Sequence, residues 1–255
     1  MSNFQPIAAS NFIYVNGMQI SWTSVTTLSI TAGQCRDSTN NIDISIGNPY
    51  TSSAVSTTVN LATTGLNALD TGALANTTWY YIYAIGDSSF YNPTGFIVST
   101  NPTTPQLPVG YDSIRVVGYW VTDGSAHLRK GYITGNGGNK SFVYDAPVSV
   151  LSSGTQTGSF ALVNLANGVP PINNTFATLT VSFLAASAGA FVTLVPGDST
   201  STTGVQVSDG VSTQAQLVQA KVLSRIVTTN AQILYENSIA SCATTLLVQG
   251  FDYSI

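Results

Sequence analysis

Hydrophobic and polar positions along the chain follow the two-residue period of β-strands in many places. The clearest run extends from Trp79 to Ile85, is rich in aromatic and β-branched residues, and ends at Gly86. Both of its faces are apolar, so it predicts a strand in the middle of a sheet, with Trp79 buried. Asn41–Gly47 alternates between polar and apolar residues, which predicts a strand with one buried face.

Two dipeptides predict tight hairpins, because each lies between two extended apolar runs. They are Asn16-Gly17, between Phe12–Val15 and Met18–Trp22, and Asp123-Gly124, between Ile114–Thr122 and Ala126–Ile133. Asn-Gly and Asp-Gly favour the two-residue turns that join antiparallel strands. We therefore expect the segments on either side of each dipeptide to be neighbours in a sheet.

The composition changes after Asp145-Ala146-Pro147, where aromatic residues become rarer and Ala, Val and Thr more frequent. We place a boundary here, between an N-terminal antiparallel β domain (1–146) and a C-terminal domain (147–255). Candidate strands of the second domain are Phe160–Val163, Thr175–Leu184, Ala190–Val195, Val205–Val207, Gln216–Ile226, Ala231–Tyr235 and Leu246–Tyr253. Short, regularly spaced strands with turns between them are typical of a β-sandwich such as a jelly roll. The predicted fold class is all-β.

Two stretches have alternative interpretations. Ala215–Val227 has residue types that suit a helix, but its helical spacing is weak, so a strand is favoured. Ala177–Val195 is uncharged and about long enough to cross a membrane. Its polar and apolar residues alternate with strand period and no Lys or Arg flanks it, so we predict two strands and no membrane insertion.

Charge is scarce, at 7% of residues against about a quarter in an ordinary soluble domain. The shortage of Glu, Lys and Arg favours strands over helices. A net charge of −4 argues against a nucleic-acid partner, which would need clustered Lys and Arg. The charged residues from position 147 onward are only Asp198, Asp209, Lys221, Arg225, Glu236 and Asp252. An outer surface with so little charge predicts self-association through this part of the chain.

No residue set predicts a catalytic site. His127 is the only histidine and lies beside Arg129-Lys130, so we expect it at a surface or an interface. Carboxylates suited to glycoside hydrolysis are present, but most lie in predicted turns, where Asp bonds to the backbone. They are Asp70, Asp87, Asp112, Asp123, Asp198 and Asp209. Cys35 and Cys242 lack metal-site spacing and predict buried thiols with no disulfide between them. We expect no enzymatic activity, no metal and no cofactor.

Several runs resemble segments of virion proteins from tailed bacteriophages. They are Leu69–Ile85, Leu107–Gly118 and Thr122–Ser125, and similar runs occur in fibre, baseplate and head-surface proteins of such phages. The resemblance covers the chain up to about Asp145. It implies a non-enzymatic structural protein that folds in the host cytoplasm and is displayed on the virion.

Two functions fit this resemblance. The first is a capsid decoration protein or short head fibre, bound to the major capsid protein or another virion protein. The alternative is a tail fibre or tail-tip protein that binds a host-surface glycan. The chain is short and lacks a coiled-coil or collagen-like shaft, which favours the first. The resemblance also implies a homotrimer, with 1–146 as the anchoring or assembly module and 147–255 as the oligomerising knob.

Overall fold

The computed structural model describes residues 14–47, 56–135, 137–173, 175–184, 189–201, 203–208, 222–228, 230–240 and 242–255. These residues form nineteen β-strands and no helix, which confirms the all-β prediction. In chain order the strands are β1 (Val15–Gly17), β2 (Ile20–Ser24), β3 (Thr27–Ile30), β4 (Gly33–Arg36), β5 (Asp43–Ile46), β6 (Thr57–Thr64), β7 (Ala68–Leu69), β8 (Trp79–Gly86), β9 (Gly95–Ser99), β10 (Ser113–Val121), β11 (Gly131–Thr134), β12 (Asn139–Gly154), β13 (Ala161–Asn164), β14 (Thr175–Leu184), β15 (Phe191–Pro196), β16 (Val205–Ser208), β17 (Val222–Thr228), β18 (Gln232–Asn237) and β19 (Ala243–Ser254).

The strands belong to three sheets. Twelve strands pair in the order β10-β8-β9-β7-β6-β3-β2-β11-β12-β19-β14-β17, and β1-β4-β5 and β13-β18-β15-β16 form two smaller sheets. All pairings are antiparallel except those of the short strand β7, which runs parallel to β6 and to β9. The N-terminal part was predicted to be an antiparallel domain, but it contains parallel strand pairing at β7.

The C-terminal strands have the connectivity of a jelly roll. When β12 is counted as strand one, one sheet reads 1-8-3-6 (β12-β19-β14-β17) and the other 2-7-4-5 (β13-β18-β15-β16). Every pairing within these two groups is antiparallel. Eight strands wound into two such four-stranded groups are the jelly-roll architecture, so the predicted jelly-roll-like sandwich is confirmed.

The interior of this sandwich comes from alternate positions on the strands. On β14, Ala177, Leu179, Val181 and Phe183 are fully buried, and buried residues of β15, β18 and β19 belong to the same apolar cluster. That cluster continues without a break into the N-terminal strands, where it includes Ile82 of β8. The two parts of the chain therefore share one hydrophobic core.

Strand β12 runs through the predicted boundary between residues 146 and 147. Its pairing with β19 passes from Val143↔Gly250 to Val148↔Val248, so β12 uses five residues where β19 uses two. This bulge leaves Asp145, Ala146 and Pro147 exposed. The composition change thus marks a bulge inside a strand, and the sheet continues on both sides of it.

Strand β8 lies between β10 and β9, which confirms the prediction of an interior strand. Its residues from Ile82 onward are buried on both faces, and Tyr80 is buried as well. Trp79 itself is only partly buried, against the expectation of a buried indole. Its Nε1 donates to the Ala166 carbonyl at 2.6 Å, and its ring packs edge-on against Phe251 at 5.5 Å. Trp79 sits at the rim of the core because it reaches across to the C-terminal strands.

The predicted hairpin at Asn16-Gly17 is wrong. β1 pairs with β4, with Val15 opposite Cys35, whereas β2 pairs with β3 and β11. Gly17 has a φ of 69°, and a Cβ there would lie 2.4 Å from the Ala32 carbonyl oxygen. The glycine is needed because the chain turns from one sheet into another against a neighbouring backbone.

The second predicted hairpin forms only at its tip. Thr122 bridges Leu128, and the Asp123 amide donates to the His127 carbonyl at 2.8 Å. Beyond the tip, β11 leaves β10 and pairs with β2 and β12 instead. This arrangement buries Ile133 of β11 in the core.

Three further segments were predicted to be strands, and the structure describes each of them wholly or in part. Asp43–Ile46 alternates between exposed and buried, as expected of a half-buried strand. Val222–Thr228 is a strand, in agreement with the favoured interpretation of Ala215–Val227, whose first residues lie outside the described part. Ala177–Val195 contributes β14 and β15. No helix in the described residues is both long and apolar enough to cross a membrane.

Candidate functional site

The Arg129 cleft is the surface feature with the most distinctive chemistry. It is a recess of about 290 Å³ beside the tip of the Asp123 turn. Its principal walls are Trp22, Asp123, His127, Arg129, Lys130 and Tyr144. Two of the chain's seven Lys and Arg residues and its one histidine therefore meet around a tryptophan.

Two buried or half-buried indoles hold the backbone of this cleft. Trp22 Nε1 donates to the Leu128 carbonyl at 3.1 Å, and Trp120 Nε1 donates to the Arg129 carbonyl at 3.0 Å. The Arg129 amide donates to the Val121 carbonyl at 3.0 Å. Because the polar groups of this short segment are bonded to side chains and strands of the core, the position of Arg129 is well defined.

Lys130 lies at the open side of the cleft and already has an anionic partner. Its Nζ is 2.9 Å from Asp145, and both side chains are more than half exposed. The same Nζ lies 5.8 Å from the centre of the Trp22 ring, within the range of a cation–π contact. An exposed ion pair of this kind contributes little to stability, so the pair is easily rearranged.

Arg129 differs from Lys130 because its guanidinium has no anionic partner within salt-bridge distance among the described residues. Its Nε is buried and has no hydrogen-bond acceptor in the part of the chain that the structure describes. Tyr144, buried beside it, donates its hydroxyl to the Gly168 carbonyl at 3.0 Å. Burial raises the pKa of Tyr144 far above its usual value, and the positive charge of Arg129 partly opposes that rise. The cleft thus contains a cation with unused donors.

Asp123 supplies negative charge to the same cleft. Its Oδ1 accepts hydrogen bonds from the amides of Ser125 (2.8 Å) and His127 (3.0 Å). Burial would raise the pKa of Asp123, but these bonds and the charges of His127 and Arg129 outweigh it and hold the pKa below its usual value. Its Oδ2 lies 4.0 Å from His127 Nδ1. The cleft therefore presents an ionised carboxylate and an unpaired guanidinium together.

A larger recess of about 470 Å³ lies on the sheet near the start of β12 and the end of β19. Its walls include Ser141 and Asp252, and Ser141 Oγ donates to the Asp252 carboxylate. The nearest amine, Lys140, is almost fully buried, and its Nζ donates to the carbonyls of Gly17 (3.1 Å) and Gly135 (3.2 Å). The amine is thus engaged in joining the small sheet to the large one and does not serve this recess.

Exposed aromatic side chains project from another pair of loops. Phe90 and Tyr91 are 75% and 91% exposed, and Val109 on the adjoining loop is 99% exposed. Asn92 Nδ2 donates to Asp87 at 2.8 Å and to the Gly110 carbonyl at 3.2 Å, which ties the two loops together. This is a small apolar protrusion on an ordered support.

Asp70 and Asp87 bond to the backbone within their own loops, as predicted, whereas Asp112 joins its loop to Ser88, 24 residues away. Asp87 accepts from the Ser89 amide at 2.8 Å, Asp112 from the Ser88 amide at 2.9 Å, and Asp70 from the Thr71 amide at 2.8 Å. Asp198 also lies in a turn, and Asp209 lies outside the described residues. Each bonded carboxylate is therefore occupied by backbone donors.

The remaining sequence candidates are also placed. His127 is exposed, as expected, with half of its side chain accessible. Cys35 and Cys242 are both buried, and no disulfide joins them. Burial raises the pKa of Cys35 to about 12. Within the described ranges, no group of three or more His, Cys, Asp or Glu side chains is arranged to hold a metal ion.

Sequence reasoning placed Arg129-Lys130 at a hairpin end but missed the cleft. The missing member was Trp22, which is 106 residues from Leu128, the residue whose carbonyl it binds. The local signal was the cluster of His127, Arg129 and Lys130 in a chain with very few cations. Nothing local to that cluster indicates which aromatic residue will pack against it.

The chain matches no protein-family model, and no curated protein sequence is significantly similar to it.

Proposed function

We propose that the protein is a non-enzymatic structural component of a tailed-bacteriophage particle, acting as a capsid decoration protein or short head fibre. The observation that carries the proposal is the jelly-roll order of β12 to β19. Jelly rolls recur in viral capsid domains and in lectins. Because a fold alone does not determine function, the proposal also draws on the resemblance of Leu69–Ile85 to phage virion proteins.

The scarcity of charge supports an assembled state. Residues 147–255 carry six charged side chains, and exposed apolar residues such as Leu162 occur among them. Surfaces of this composition are usually covered by partners. The partners that we propose are further copies of the chain and the major capsid protein or another virion protein.

The test is the location and number of copies on purified particles. Antibody labelling in electron micrographs and quantitative gel electrophoresis should place the protein on the head, in numbers comparable to the shell subunits. A few copies located at the tail would favour the alternative function. Particles that lack the protein would contradict both.

The alternative is a tail fibre or tail-tip protein that binds a host-surface glycan. The Arg129 cleft favours it, since an aromatic wall beside ionic and hydrogen-bonding groups suits a sugar. The two candidates differ in the part of the particle that carries the protein, so the labelling experiment separates them.

A further inference from the structure

We propose that the Arg129 cleft binds one acidic sugar residue of a glycan, with the sugar carboxylate on Arg129, hydroxyl groups on Asp123 and the ring against Trp22. The inference names the ligand class of the second candidate function and rests on it for its biological setting. The binding chemistry itself is a property of the cleft and is testable on the isolated protein.

The environment of Arg129 favours an anionic ligand. The guanidinium of Arg129 lines the cleft and has no ion-pair partner among the described residues. Its Nε is enclosed by protein, so a ligand would meet the terminal Nη nitrogens. An anionic ligand would supply the missing ion pair. A planar carboxylate matches the fork of guanidinium donors and can accept two parallel bonds from it.

Asp123, which lines the same cleft, favours a ligand that carries hydroxyl groups. A phosphate group, with a charge of about −1.5 to −2 at pH 7, would be repelled by the ionised Asp123 more strongly than a singly charged carboxylate would be. A sugar acid carries one negative charge and several hydroxyl donors. Backbone amides occupy Asp123 Oδ1, so Oδ2 keeps the capacity to accept a hydroxyl hydrogen bond. The combination of Arg129 and Asp123 therefore discriminates in favour of a ligand with both kinds of group.

The Trp22 wall and the size of the recess suit a single sugar ring. The indole is partly exposed, and its Nε1 is bonded to Leu128, which fixes the ring. A rigid aromatic face beside polar groups suits a pyranose, which has an apolar face and polar edges. A volume of about 290 Å³ is at the small end of ligand sites and suits a single ring.

An acidic peptide segment of a partner protein is the main competing occupant. It would use Arg129 and Lys130 in the same way but would have no hydroxyl donors for Asp123. The two are distinguished by offering both ligands to the same protein.

The experiment is ligand-observed saturation-transfer NMR on the full chain. The probes are sodium glucuronate and N-acetylneuraminate, with glucose as the neutral match of glucuronate. Inorganic phosphate and a short poly-glutamate peptide serve as competitors. We expect saturation transfer to both sugar acids, none to glucose, and little competition by phosphate or the peptide.

Single substitutions test whether the sugar acid binds in the Arg129 cleft. Arg129→Gln should weaken glucuronate binding at least about tenfold, because a charge-assisted bond is lost. Because Arg129 is half-buried and its substitution could disturb folding, Lys130→Gln at the exposed rim serves as a second test and should weaken binding less. Arg36→Gln removes the same charge from an arginine that is bonded to Asp43 elsewhere, and should leave binding unchanged. Thermal unfolding of each variant checks that it is folded.

The inference is overturned if neither sugar acid binds, if glucose binds equally well, or if folded Arg129→Gln binds as the parent does. Equal competition by phosphate or by the peptide overturns it as well, because the site would then not be specific for a sugar. These outcomes are separate from the particle experiment. Sugar-acid binding through Arg129 can hold for a protein absent from virions, and a virion protein can fail to bind any sugar acid.

Discussion

Trp79 connects the two parts of the chain through a hydrogen bond to Ala166 and a ring contact with Phe251. Trp79→Ala removes both and should destabilise the protein by about 3 kcal/mol, the low end for such a change because the indole is partly exposed. Trp79→Phe keeps the ring contact and should lose only about 1 kcal/mol. Chemical denaturation at one fixed protein concentration measures both. A loss below about 1 kcal/mol in the alanine variant would show that the contact with the C-terminal strands contributes little.

Asp37 is a second residue whose substitution should lower the stability of the protein. It is 3% exposed and accepts backbone hydrogen bonds from Thr39 (3.0 Å), Asn41 (2.6 Å) and Ile42 (2.8 Å). Burial opposes ionisation, but these bonds and that of the Thr39 hydroxyl outweigh it and lower the pKa. The folded protein therefore keeps this carboxyl ionised at a pH where the unfolded chain, with a pKa of about 3.9, takes up a proton.

Asp37 therefore makes the folded protein more stable at neutral pH than at acid pH. The lowered pKa contributes stability that is complete above about pH 5 and is lost as the pH falls through the folded pKa. Asp37→Asn has no such titration and should be about 2 kcal/mol less stable at pH 7. The difference between parent and variant should shrink towards pH 3. Urea denaturation at several pH values measures it, and a difference that stays constant with pH would contradict the prediction.

At the scale of strands, β19 packs closely on β12 at Gly250. A Cβ at this position would lie 2.2 Å from the carbonyl oxygen of Phe142, so Gly250→Ala must displace backbone next to the β12 bulge. We expect a loss of about 1–3 kcal/mol. Gly124→Ala is the matched control, because no atom lies within 4 Å of a Cβ there. Its stability should change by less than about 0.5 kcal/mol. Equal melting temperatures for the two variants would show that β12 and β19 separate easily.

Strand positions were predictable from the sequence, whereas strand partners were not. The alternation of Asp43–Ile46 and the apolar run at Trp79 are local patterns, and both segments are strands. Pairing depends on distant residues. Asn16-Gly17 has the local chemistry of a hairpin, yet β1 pairs with β4, because Val15 and Cys35 are buried together there. The cleft was missed for the same reason, since Trp22 and Arg129 are distant in sequence.

For the whole molecule, the main prediction is self-association. The scarcity of charge in residues 147–255 and the proposed virion role point to a homotrimer. Light scattering on the full chain should give about three times the monomer mass, and a monomer at tens of micromolar would contradict it. The full chain is required because a fragment that begins at residue 147 would start inside β12 and lose the pairing of Asn139–Val143 with β19.

The place of β19 in the large sheet has a consequence for the time course of biosynthesis. β19 lies between β12 and β14, yet it is the last of the described strands to leave the ribosome. A nascent chain that has released β12 to β18 still has a gap between β12 and β14, with two unpaired strand edges facing it. Residues 139 and 254 are partners, so closure must wait for contacts of very long sequence separation, which form slowly. During synthesis those open edges are exposed to other chains, and a chaperone that covers them until β19 arrives would raise the yield of folded protein.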